Sequence, residues 1–391
     1  MKQIFFRINL RVILIVILAF VIGWKVGQTQ IPPPKNNNAD FKLFWDTENL
    51  LKRDYLDKSA LDQNKLYYGA ISGMVSAVGD PYTFFLPPEA QKSSKEELNG
   101  SFEGVGIQLG FNPDKRLAVI APLEGTPAKA AGVKPLDMII KIDGKDTTGL
   151  SLPEAVKLIR GTKGTKVMLE ILREGEEETR TFTMVRDTIV VKSVELEYKK
   201  TKSGKNVAWI KLSRFSERTR SEWQEAVKDI ISKNPNGVIL DVRNNPGGYL
   251  DGAVFVTSEF LEGGDVVLQE DGQGKKQAFK VNREGNLLTI PLIVLINKGS
   301  ASASEIVAGA LQDRERAKLV GEQSFGKGTI QEAEELEKGA GIHITVARWL
   351  TPNGKWVNET KGLKPDVIIE MPKDAKDNQD PQLDKALELL E

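Results

Sequence analysis

The spacing of apolar residues changes twice along this chain, and each stretch predicts a different kind of structure. Between 41 and 75 the apolar positions recur near helical spacing, which predicts helical structure that ends at Gly79-Asp80-Pro81. An apolar run at 84–86 then precedes Pro87-Pro88, a pair typical of a stop signal. We therefore expect an N-terminal helical region, which could form a small domain or an arm.

A different pattern, of short apolar runs broken by glycines and tight turns, follows in 101–186. It predicts a compact β-rich domain with one main helix at 152–160 and a shorter one at 126–132. The predicted strands are 104–109, 117–120, 138–142 and 167–172.

From 187 onward, continuous apolar runs alternate with amphipathic stretches. This alternation of strands and helices predicts a mostly parallel sheet. The predicted strands are 207–212, 237–243 and 292–296, and the predicted helices are 221–233, 250–261 and 302–313.

These patterns predict an α/β core with β-sheet and crossing helices, a β-rich domain, and an N-terminal helical segment after a membrane anchor. The predicted parts are a signal anchor or signal peptide at 1–30, a linker at 31–38, an N-terminal helical region at 39–100, the β-rich domain at 101–186, the α/β core at 187–371 and a C-terminal tail helix at 372–391.

The N-terminal segment bears on the compartment. Lys2, Arg7 and Arg11 precede an uncharged, mostly apolar run at 12–24, and Lys25 follows. The run is short for a spanning helix, which needs about 20 residues, and it suits the core of a signal peptide. However, no Ala-x-Ala-like site follows, and the flanking cations can snorkel to lengthen the span. The run predicts either a single-pass anchor in the cell membrane or a cleaved signal, and both export the rest of the chain.

Composition narrows the chemistry. Lys+Arg and Asp+Glu are both 54, so no basic surplus indicates binding to nucleic acid. The chain has no cysteine and one histidine, which excludes a thiol nucleophile and leaves a histidine-based triad a single base. That residue, His343, lies in an alternating pattern that predicts a strand surface, and it has no second histidine with which to bind a metal. We predict no metal and no cofactor; a hydrolase of this composition would naturally use a serine activated by a lysine.

Ser302 is the candidate nucleophile. It lies between a buried strand and a predicted helix, among the small neighbours Gly299, Ala301 and Ala303. Because a helix begins here, its unpaired N–H groups favour developing negative charge, and the N–H of Ala303 is a candidate oxyanion donor. The alternative is a plain helix start in which Ser302 or Ser304 serves as the N-cap.

A second loop follows the buried strand that ends near Asp241. It contains Asn244-Asn245-Pro246-Gly247-Gly248, and ligands of open α/β sheets gather at such strand ends. Its paired glycines can aim an N–H at a bound carbonyl, so Gly248, or else Gly247, is a candidate second oxyanion donor. The alternative is an ordinary Asn-Pro-Gly turn.

Lys327, in Gly326-Lys327-Gly328, is the candidate general base. To accept a proton it must be neutral, so its pKa must be lowered by burial without a carboxylate partner. Gln331 could accept a hydrogen bond from the amine and orient it without strongly stabilising its charge. The alternative is a solvated loop lysine.

Together these motifs resemble the carboxyl-terminal processing peptidases, a family of Ser/Lys proteases. The resemblance rests on Ser-Ala-Ser-Ala-Ser-Glu-Ile, Gly-Lys-Gly-Thr-Ile-Gln and Asp-x-Arg-x-Asn-x-Gly-Gly, and it extends from about residue 40 to 371, including Gly79-Asp80-Pro81-Tyr82-Thr83. It implies Ser302 as nucleophile, Lys327 as general base and Gln331 as its orienting residue, with Gly248 and Ala303 as oxyanion donors.

The β-rich domain resembles a PDZ domain. Gly104-Val105-Gly106-Ile107 matches the carboxylate-binding loop, which implies that these four residues bind the free C-terminus of a protein or peptide substrate. A departure is Lys134-Pro135-Leu136-Asp137, where the family usually has a glycine before the aspartate. Arg160, at the end of the predicted helix, could link peptide binding to the catalytic part, or it could simply be exposed.

These features favour an exported serine endopeptidase that cleaves proteins near their C-termini. The helical N-terminal region leaves room for a homodimer. One alternative is a non-catalytic PDZ adaptor that binds protein C-termini. A second is a penicillin-interactive enzyme that uses Ser324, because Ser324-Phe325-Gly326-Lys327 matches Ser-x-x-Lys; the glycines on both sides of the lysine argue against the helix that this motif needs.

Overall fold

The computed structural model describes residues 41–112, 114–372 and 379–391, so the predicted anchor and linker lie outside the described residues. Within these three ranges, no helix has both the length and the apolar character needed to cross a membrane. The chain divides into two compact units, one ending at Ala70 and the other beginning at Ile71.

The predicted helical structure before Gly79 is present, with one break. Helix α1 (Lys42–Asp54) is followed by a 3₁₀ turn (Lys58–Ala60) and helix α2 (Gln63–Ser76). The break occurs where the Asp57 side chain accepts the N–H of Ser59 at 3.0 Å, because this local hydrogen bond competes with helical pairing.

The segment after α2 differs from the prediction. Phe84–Leu86 forms strand β1, and Pro87-Pro88 begins a helix instead of stopping one: α3 runs over Pro88–Asn99. Proline suits the first turn of a helix because its missing N–H would be unpaired there anyway. The helix ends at Gly100, whose φ of 67° is a left-handed conformation that glycine adopts without strain.

The β-rich domain contains the predicted strands and additional ones, but the strand predicted at 104–109 is interrupted at Val105 and Gly106. In chain order these strands are β2 (Ser101–Gly104), β3 (Ile107–Phe111), β4 (Leu117–Pro122), β5 (Met138–Ile142), β6 (Lys145–Asp146), β7 (Lys166–Leu172), β8 (Arg180–Val185) and β9 (Asp187–Val190). Its helices are α4 (Pro127–Ala131) and α5 (Leu152–Ile159). The main sheet has the order β3-β4-β5-β7-β8, which leaves β3 at an edge, while β2 and β9 pair separately.

The rest of the chain contains a six-stranded sheet, an antiparallel sheet and the remaining helices. The strands are β10 (Val194–Lys200), β11 (Asn206–Leu212), β12 (Gly237–Asp241), β13 (Asp265–Asp271), β14 (Lys276–Lys280), β15 (Leu292–Ile296), β16 (Lys318–Gly321), β17 (Thr329–Glu335), β18 (Gly341–Leu350) and β19 (Val367–Ile368). The helices are α6 (Thr219–Lys233), α7 (Leu250–Thr257), α8 (Ala303–Asp313) and α9 (Pro381–Leu389).

The six-stranded sheet confirms the predicted parallel arrangement. Its order is β10-β11-β12-β15-β16-β19, and every neighbouring pair is parallel except β10 and β11. Successive side chains of a strand point to opposite faces, and both faces of this sheet are covered. One face lies in the core cluster with residues of α6, α7 and α8, and the other packs against α9 through Leu383, Ala386 and Leu390.

The ends of three parallel strands position the candidate site. Strands β12, β15 and β16 are adjacent, with Asp241 beside Leu295 and Ile296 beside Gly321 at their carboxyl ends. The loops that leave these ends carry Gly248, Ser302 and Lys327. A parallel sheet therefore brings together residues that are far apart in the sequence.

The antiparallel sheet brings a fourth segment to the same place. β18 pairs with β13, β17 and β1, and the register sets Phe84 opposite His343 and Gln331 opposite Thr345. The 80–86 segment is thereby fixed beside β18, and β17, the strand that carries Gln331, pairs with the other edge of β18. The local pattern gave no sign of this pairing, although it predicted a strand around His343.

Candidate active site

Ser302 occupies a strained turn between β15 and α8. Its φ of 56° and ψ of −114° are unusual for a residue with a side chain, and such strain is typical of a nucleophile held out from a strand-to-helix turn. It is also the N-cap residue of α8, so the structural alternative raised for Ser302 holds as well. The hydrogen bond of this capping arrangement is made by Glu305, whose Oε2 accepts the Ser302 N–H at 2.9 Å.

The glycine loop after β12 lies directly against Ser302. A Cβ on Gly247 would be 2.9 Å from the Ser302 Cβ and 3.0 Å from the Ala303 nitrogen, and a Cβ on Gly248 would be 2.0 Å from the Phe215 oxygen. The φ values of 103° and 140° at these two positions also favour glycine. No other residue type fits without displacing the backbone.

The unpaired N–H groups around Ser302 distinguish Gly248 from Gly247. The Gly247 N–H donates to Asn245 Oδ1 at 2.9 Å and is already used. In the part of the chain that the structure describes, the N–H groups of Gly248 and Ala303 donate to no acceptor. These two N–H groups are therefore the ones left for an incoming carbonyl oxygen.

The base of the glycine loop is tied to the C-terminal helix. Nη1 and Nη2 of Arg243 each donate a hydrogen bond to the Asp380 carboxylate at 2.8 Å. Nη2 also donates to Asp241 Oδ2 at 2.6 Å. These partners raise the pKa of Arg243, against the effect of its burial, and Arg243 holds the pKa of the Asp380 carboxyl below its usual range. The pairing fixes where the loop leaves the sheet, because planar two-point contacts are geometrically specific.

The backbone of the Lys327 loop is held from several sides. The Lys327 N–H donates to Glu305 Oε2 at 2.9 Å, and its carbonyl accepts from Trp349 Nε1 at 2.9 Å. The next carbonyl, of Gly328, accepts from Trp356 Nε1 at 2.8 Å. The backbone of Lys327 is therefore fixed by hydrogen bonds, unlike that of a lysine in a solvated loop.

The amine of Lys327 has a lowered pKa, but it makes no hydrogen bond to the candidate nucleophile Ser302 within the described residues. Burial lowers the pKa of its amine, while the negative charges of Asp80 and Glu305 oppose that shift. Its Nζ lies 5.1 Å from the centroid of the Tyr82 ring. Among the described residues, no hydrogen bond joins Nζ to Ser302 or to Gln331.

Gln331 belongs to a neighbouring polar network. Its Nε2 donates to Thr329 Oγ1 at 2.9 Å and to Thr345 Oγ1 at 3.1 Å. The network continues because the Thr345 N–H donates to Thr83 Oγ1, whose own hydroxyl donates to Asp80 at 2.7 Å. The Gln331 carbonyl oxygen has no hydrogen-bond donor within the described ranges, so it remains open toward an amine.

Glu305 is a candidate site residue that the sequence did not predict. Its carboxylate is fully buried and accepts hydrogen bonds from the N–H groups of Ser302, Gly326 and Lys327 and from the Ser324 hydroxyl. Burial raises the pKa of this carboxyl although all four hydrogen bonds favour its charged form. The Ser-x-x-Glu spacing of a capping box was the available signal.

Ser324 and His343, the other two residues considered for catalysis or metal binding, both have contacts that explain them structurally. Ser324 is buried, donates to Glu305 at 2.6 Å and accepts the Leu363 N–H at 2.6 Å, so its hydroxyl is fully engaged. His343 stacks on Phe84 with ring centroids 4.8 Å apart, as a strand residue. In the part of the chain described, no cluster of three or more His, Cys, Asp or Glu could hold a metal ion.

The candidate carboxylate-binding loop precedes the edge strand β3. Val105 and Gly106 present N–H groups that donate to no acceptor within the described residues, and Gly106 has a φ of 77°. A Cβ on Gly106 would lie 2.4 Å from Thr126, so the loop requires glycine there. Free N–H groups beside an open sheet edge suit a peptide that adds as a strand and ends in a carboxylate.

The turn that departs from the PDZ pattern keeps its geometry without glycine. Leu136 adopts a φ of 67°, and Asp137 is held by Arg173, which donates to it at 2.7 and 2.8 Å. The Arg160 guanidinium lies 4.3 Å from the centroid of Phe102, and its Nη1 reaches Glu96 of α3 at 3.1 Å. The helix end of the β-rich domain is thus connected to α3, which lies outside that sheet.

Comparisons with known proteins agree with these features. A model described as Peptidase family S41 matches residues 206–369, and one described as PDZ domain matches 94–172. The chain is 41% identical over 327 residues to the carboxy-terminal processing protease CtpA of Bacillus subtilis (strain 168), covering 83% of this chain and 68% of that protein.

Two further similarities point the same way. A carboxyl-terminal-processing protease of Synechocystis sp. is 41% identical over 324 residues, covering 83% of this chain and 75% of the relative. Among solved structures, the photosystem II D1 C-terminal processing protease has a TM-score of 0.51 at 29% identity, covering 85% of this chain and 93% of that one.

Proposed function

Because the chain belongs to the carboxyl-terminal processing proteases of peptidase family S41, and is a serine-type peptidase with a PDZ domain, we propose that it is an exported endopeptidase with a Ser302–Lys327 dyad. Its substrates are extracytoplasmic proteins, cleaved near their C-termini. The observation that carries this proposal is the single carboxylate of Glu305, which holds the backbones of both Ser302 and Lys327.

The proposed reaction uses these groups in turn. Neutral Lys327 takes the proton of Ser302 as Oγ attacks the scissile carbonyl carbon, and it then gives that proton to the leaving amine as the C–N bond breaks. Water then attacks the ester carbonyl carbon and gives a proton to Lys327, which passes it to Ser302 Oγ as the C–Oγ bond breaks. This step releases the new C-terminus and restores free Ser302 and neutral Lys327.

The free N–H groups of Gly248 and Ala303 are proposed to stabilise the oxyanion. Ala303 directly follows Ser302 at the start of α8, where the helix dipole also favours negative charge, and Gly248 follows Gly247, which packs against Ser302. Gln331 is proposed to orient the amine through its open carbonyl oxygen. That role requires Lys327 to move from the Tyr82 ring toward Ser302.

The PDZ domain is proposed to bind the substrate C-terminus at Gly104, Val105, Gly106 and Ile107. The N–H groups of this loop would donate to the terminal carboxylate, and the rest of the peptide would pair as a strand along β3. Arg160 is proposed to transmit occupancy to the catalytic part, because its contact with Glu96 is a charge-assisted hydrogen bond to α3.

The compartment and assembly rest on the N-terminal part of the chain. The charged and apolar pattern of residues 2–25 supports an N-terminal membrane anchor with an extracytoplasmic catalytic part, or secretion if the segment is cleaved. Exposed aromatic residues on α1, among them Phe44 and Trp45, support a homodimer as a further proposal.

Cleavage of an unfolded protein substrate tests the catalytic proposal. The parent ectodomain, starting at residue 39, is compared with Ser302→Ala and Lys327→Ala, and with the matched exposed-residue controls Ser232→Ala and Lys298→Ala. We expect cleavage by the parent and by both controls, and none by the two dyad variants. Equal cleavage by all five proteins would overturn the dyad.

The same proteins distinguish a peptidase from the non-catalytic adaptor. If none of them cleaves, peptides with free and with amidated carboxyl ends are added. Cleavage that appears only with the free carboxylate supports a gated peptidase. Tight binding of that peptide without any cleavage supports the adaptor.

A further inference from the structure

The Lys327 amine lies at an aromatic ring that the proposed mechanism does not use. Its Nζ is 5.1 Å from the centroid of Tyr82, within the range of a cation–π contact. Among the described residues, no carboxylate lies within ion-pair distance of Nζ. The ring is therefore the identified group that contacts the charged end of this side chain.

The position of Tyr82 is fixed by its surroundings. Asp80 accepts the Tyr82 N–H at 3.1 Å and the Thr83 hydroxyl at 2.7 Å, while Thr83 Oγ1 accepts the N–H of Thr345 on β18 at 3.0 Å. Directly after this loop, β1 pairs with β18. The ring is thus held against the site by a turn and by a strand pairing.

We propose that Tyr82 is a positioning residue for Lys327, whose ring holds the charged amine away from Ser302 and releases it on loss of the proton. This inference rests on the proposed role of Lys327 as the base. The face of an aromatic ring attracts an ammonium ion, and it has no comparable attraction for a neutral amine. The contact therefore favours the form of Lys327 that cannot accept a proton.

Charged groups on three neighbouring elements also act on Lys327. Asp80, in the loop before β1, and Glu305 on α8 both favour the charged amine, whereas burial disfavours it. On β18, the charge of Lys327 adds to burial in lowering the pKa of His343. Burial and the same two carboxylates raise the pKa of the Tyr82 hydroxyl, which favours its neutral form.

Two replacements of Tyr82 separate the ring from the hydroxyl. The hydroxyl makes no hydrogen bond with the part of the chain described, so Tyr82→Phe keeps the ring contact and is the matched control. Tyr82→Leu removes the ring. Incorporation of 3,4,5-trifluorophenylalanine at this position keeps the ring shape but weakens its negative face, and it covers the case in which Tyr82→Leu fails to fold.

The direct measurement is the titration of Lys327 in the full-length chain in detergent. The ¹³Cε chemical shift of labelled lysine is followed against pH, and the Lys327 signal is identified by its loss in Lys327→Arg. We expect the pKa of Lys327 to fall by about 0.5 to 1.5 units in Tyr82→Leu and in the trifluoro variant, and to stay unchanged in Tyr82→Phe. Equal titration in all four proteins would overturn the proposal.

Labelling of Ser302 by a fluorophosphonate gives the second readout. We expect the acid limb of the labelling rate against pH to move to lower pH in Tyr82→Leu by the same shift, and not to move in Tyr82→Phe. A limb that stays in place while labelling persists contradicts the proposal. If no protein is labelled, the dyad assignment fails, and the titration still decides whether Tyr82 holds the amine.

Discussion

Glu305 and Lys327 are joined through the backbone and not through an ion pair. Glu305 Oε2 accepts the Lys327 N–H at 2.9 Å, whereas the Lys327 amine extends toward Tyr82. A carboxylate bonded to the amine itself would stabilise its charge and oppose its use as a base. Bonded to the backbone, the same carboxylate fixes the loop with a weaker effect on the amine.

This arrangement predicts a large effect of Glu305→Gln. The two carboxylate oxygens face four donors, and a glutamine amide would turn its own N–H₂ toward some of them. We expect kcat to fall by about 100-fold or more, and the free energy of unfolding to fall by about 1–3 kcal/mol. Steady-state cleavage and urea unfolding measure the two effects.

The control for that variant is Glu332→Gln, an exposed acid on β17 that makes no hydrogen bond to the site among the residues described. It should leave both quantities unchanged. If Glu305→Gln retained the parental kcat, the carboxylate would not be what aligns Ser302 and Lys327.

The pH dependence of cleavage follows from the lowered pKa of Lys327. In the proposed mechanism only the neutral amine can accept the Ser302 proton, so kcat/KM should rise with pH through a single ionisation below 10.5, the ordinary value for lysine. A rate that rises only near 10.5 would show that burial does not shift this amine. The measurement is kcat/KM against pH for the parent and for Tyr82→Phe.

The same shift predicts a pH-dependent stability. Between the folded pKa of Lys327 and 10.5, the unfolded chain binds the proton more tightly than the folded one, so stability should rise with pH across this window. Lys327→Met removes the titrating group, and its free energy of unfolding should lack this rise. Parallel pH curves for the two proteins would contradict the shift.

The sequence predicts well those residues whose positions depend on local pattern. Ser302 and Gly248 follow continuous apolar runs that could only be buried strands, and loops at the carboxyl ends of adjacent parallel strands converge. Lys327 follows β16, a strand that the sequence reading did not identify, and was recognised instead through its motif. Arg160 follows the amphipathic helix α5, whose ends could be predicted from the sequence pattern.

Residues placed by long-range pairing were not predictable in this way. Thr83 and Thr345 are bonded although they are 262 residues apart, and nothing local indicates that 84–86 pairs with β18. Tyr82 therefore carried no predicted role. Glu305 was missed for another reason: a buried carboxylate is costly unless donors surround it, and three of its four donors come from a distant loop.

Substitution in the glycine loop separates backbone strain from contact. In Gly247→Ala the new Cβ would lie 2.9 Å from both the Ala301 oxygen and the Ser302 Cβ, so the turn that carries the nucleophile must shift. We expect kcat to fall by about 100- to 1,000-fold, with KM changed much less, because the oxyanion donors are displaced.

The matched control is Gly274→Ala, in the turn between β13 and β14. Gly274 also has a positive φ, of 78°, but a Cβ there would meet nothing within 4 Å. It should lose some stability through strain and keep the parental kcat. Equal losses of activity in the two variants would attribute the effect to strain alone.

The PDZ loop offers a pair of glycines matched even more closely. Gly106 and Gly149 both have a φ of 77°, but a Cβ on Gly106 would meet Thr126 at 2.4 Å, whereas one on Gly149 would meet nothing within 4 Å.

In a Ser302→Ala background, Gly106→Ala should weaken binding of a labelled peptide with a free C-terminus by at least about tenfold. The N–H groups that would donate to the carboxylate are displaced, and a loss of about 1.4 kcal/mol already gives that factor. Fluorescence anisotropy measures the affinity, and an amidated peptide should bind weakly to every variant. If Gly149→Ala weakened binding as much as Gly106→Ala, general strain in the domain would explain the loss, and residues 104–107 would not be the carboxylate site.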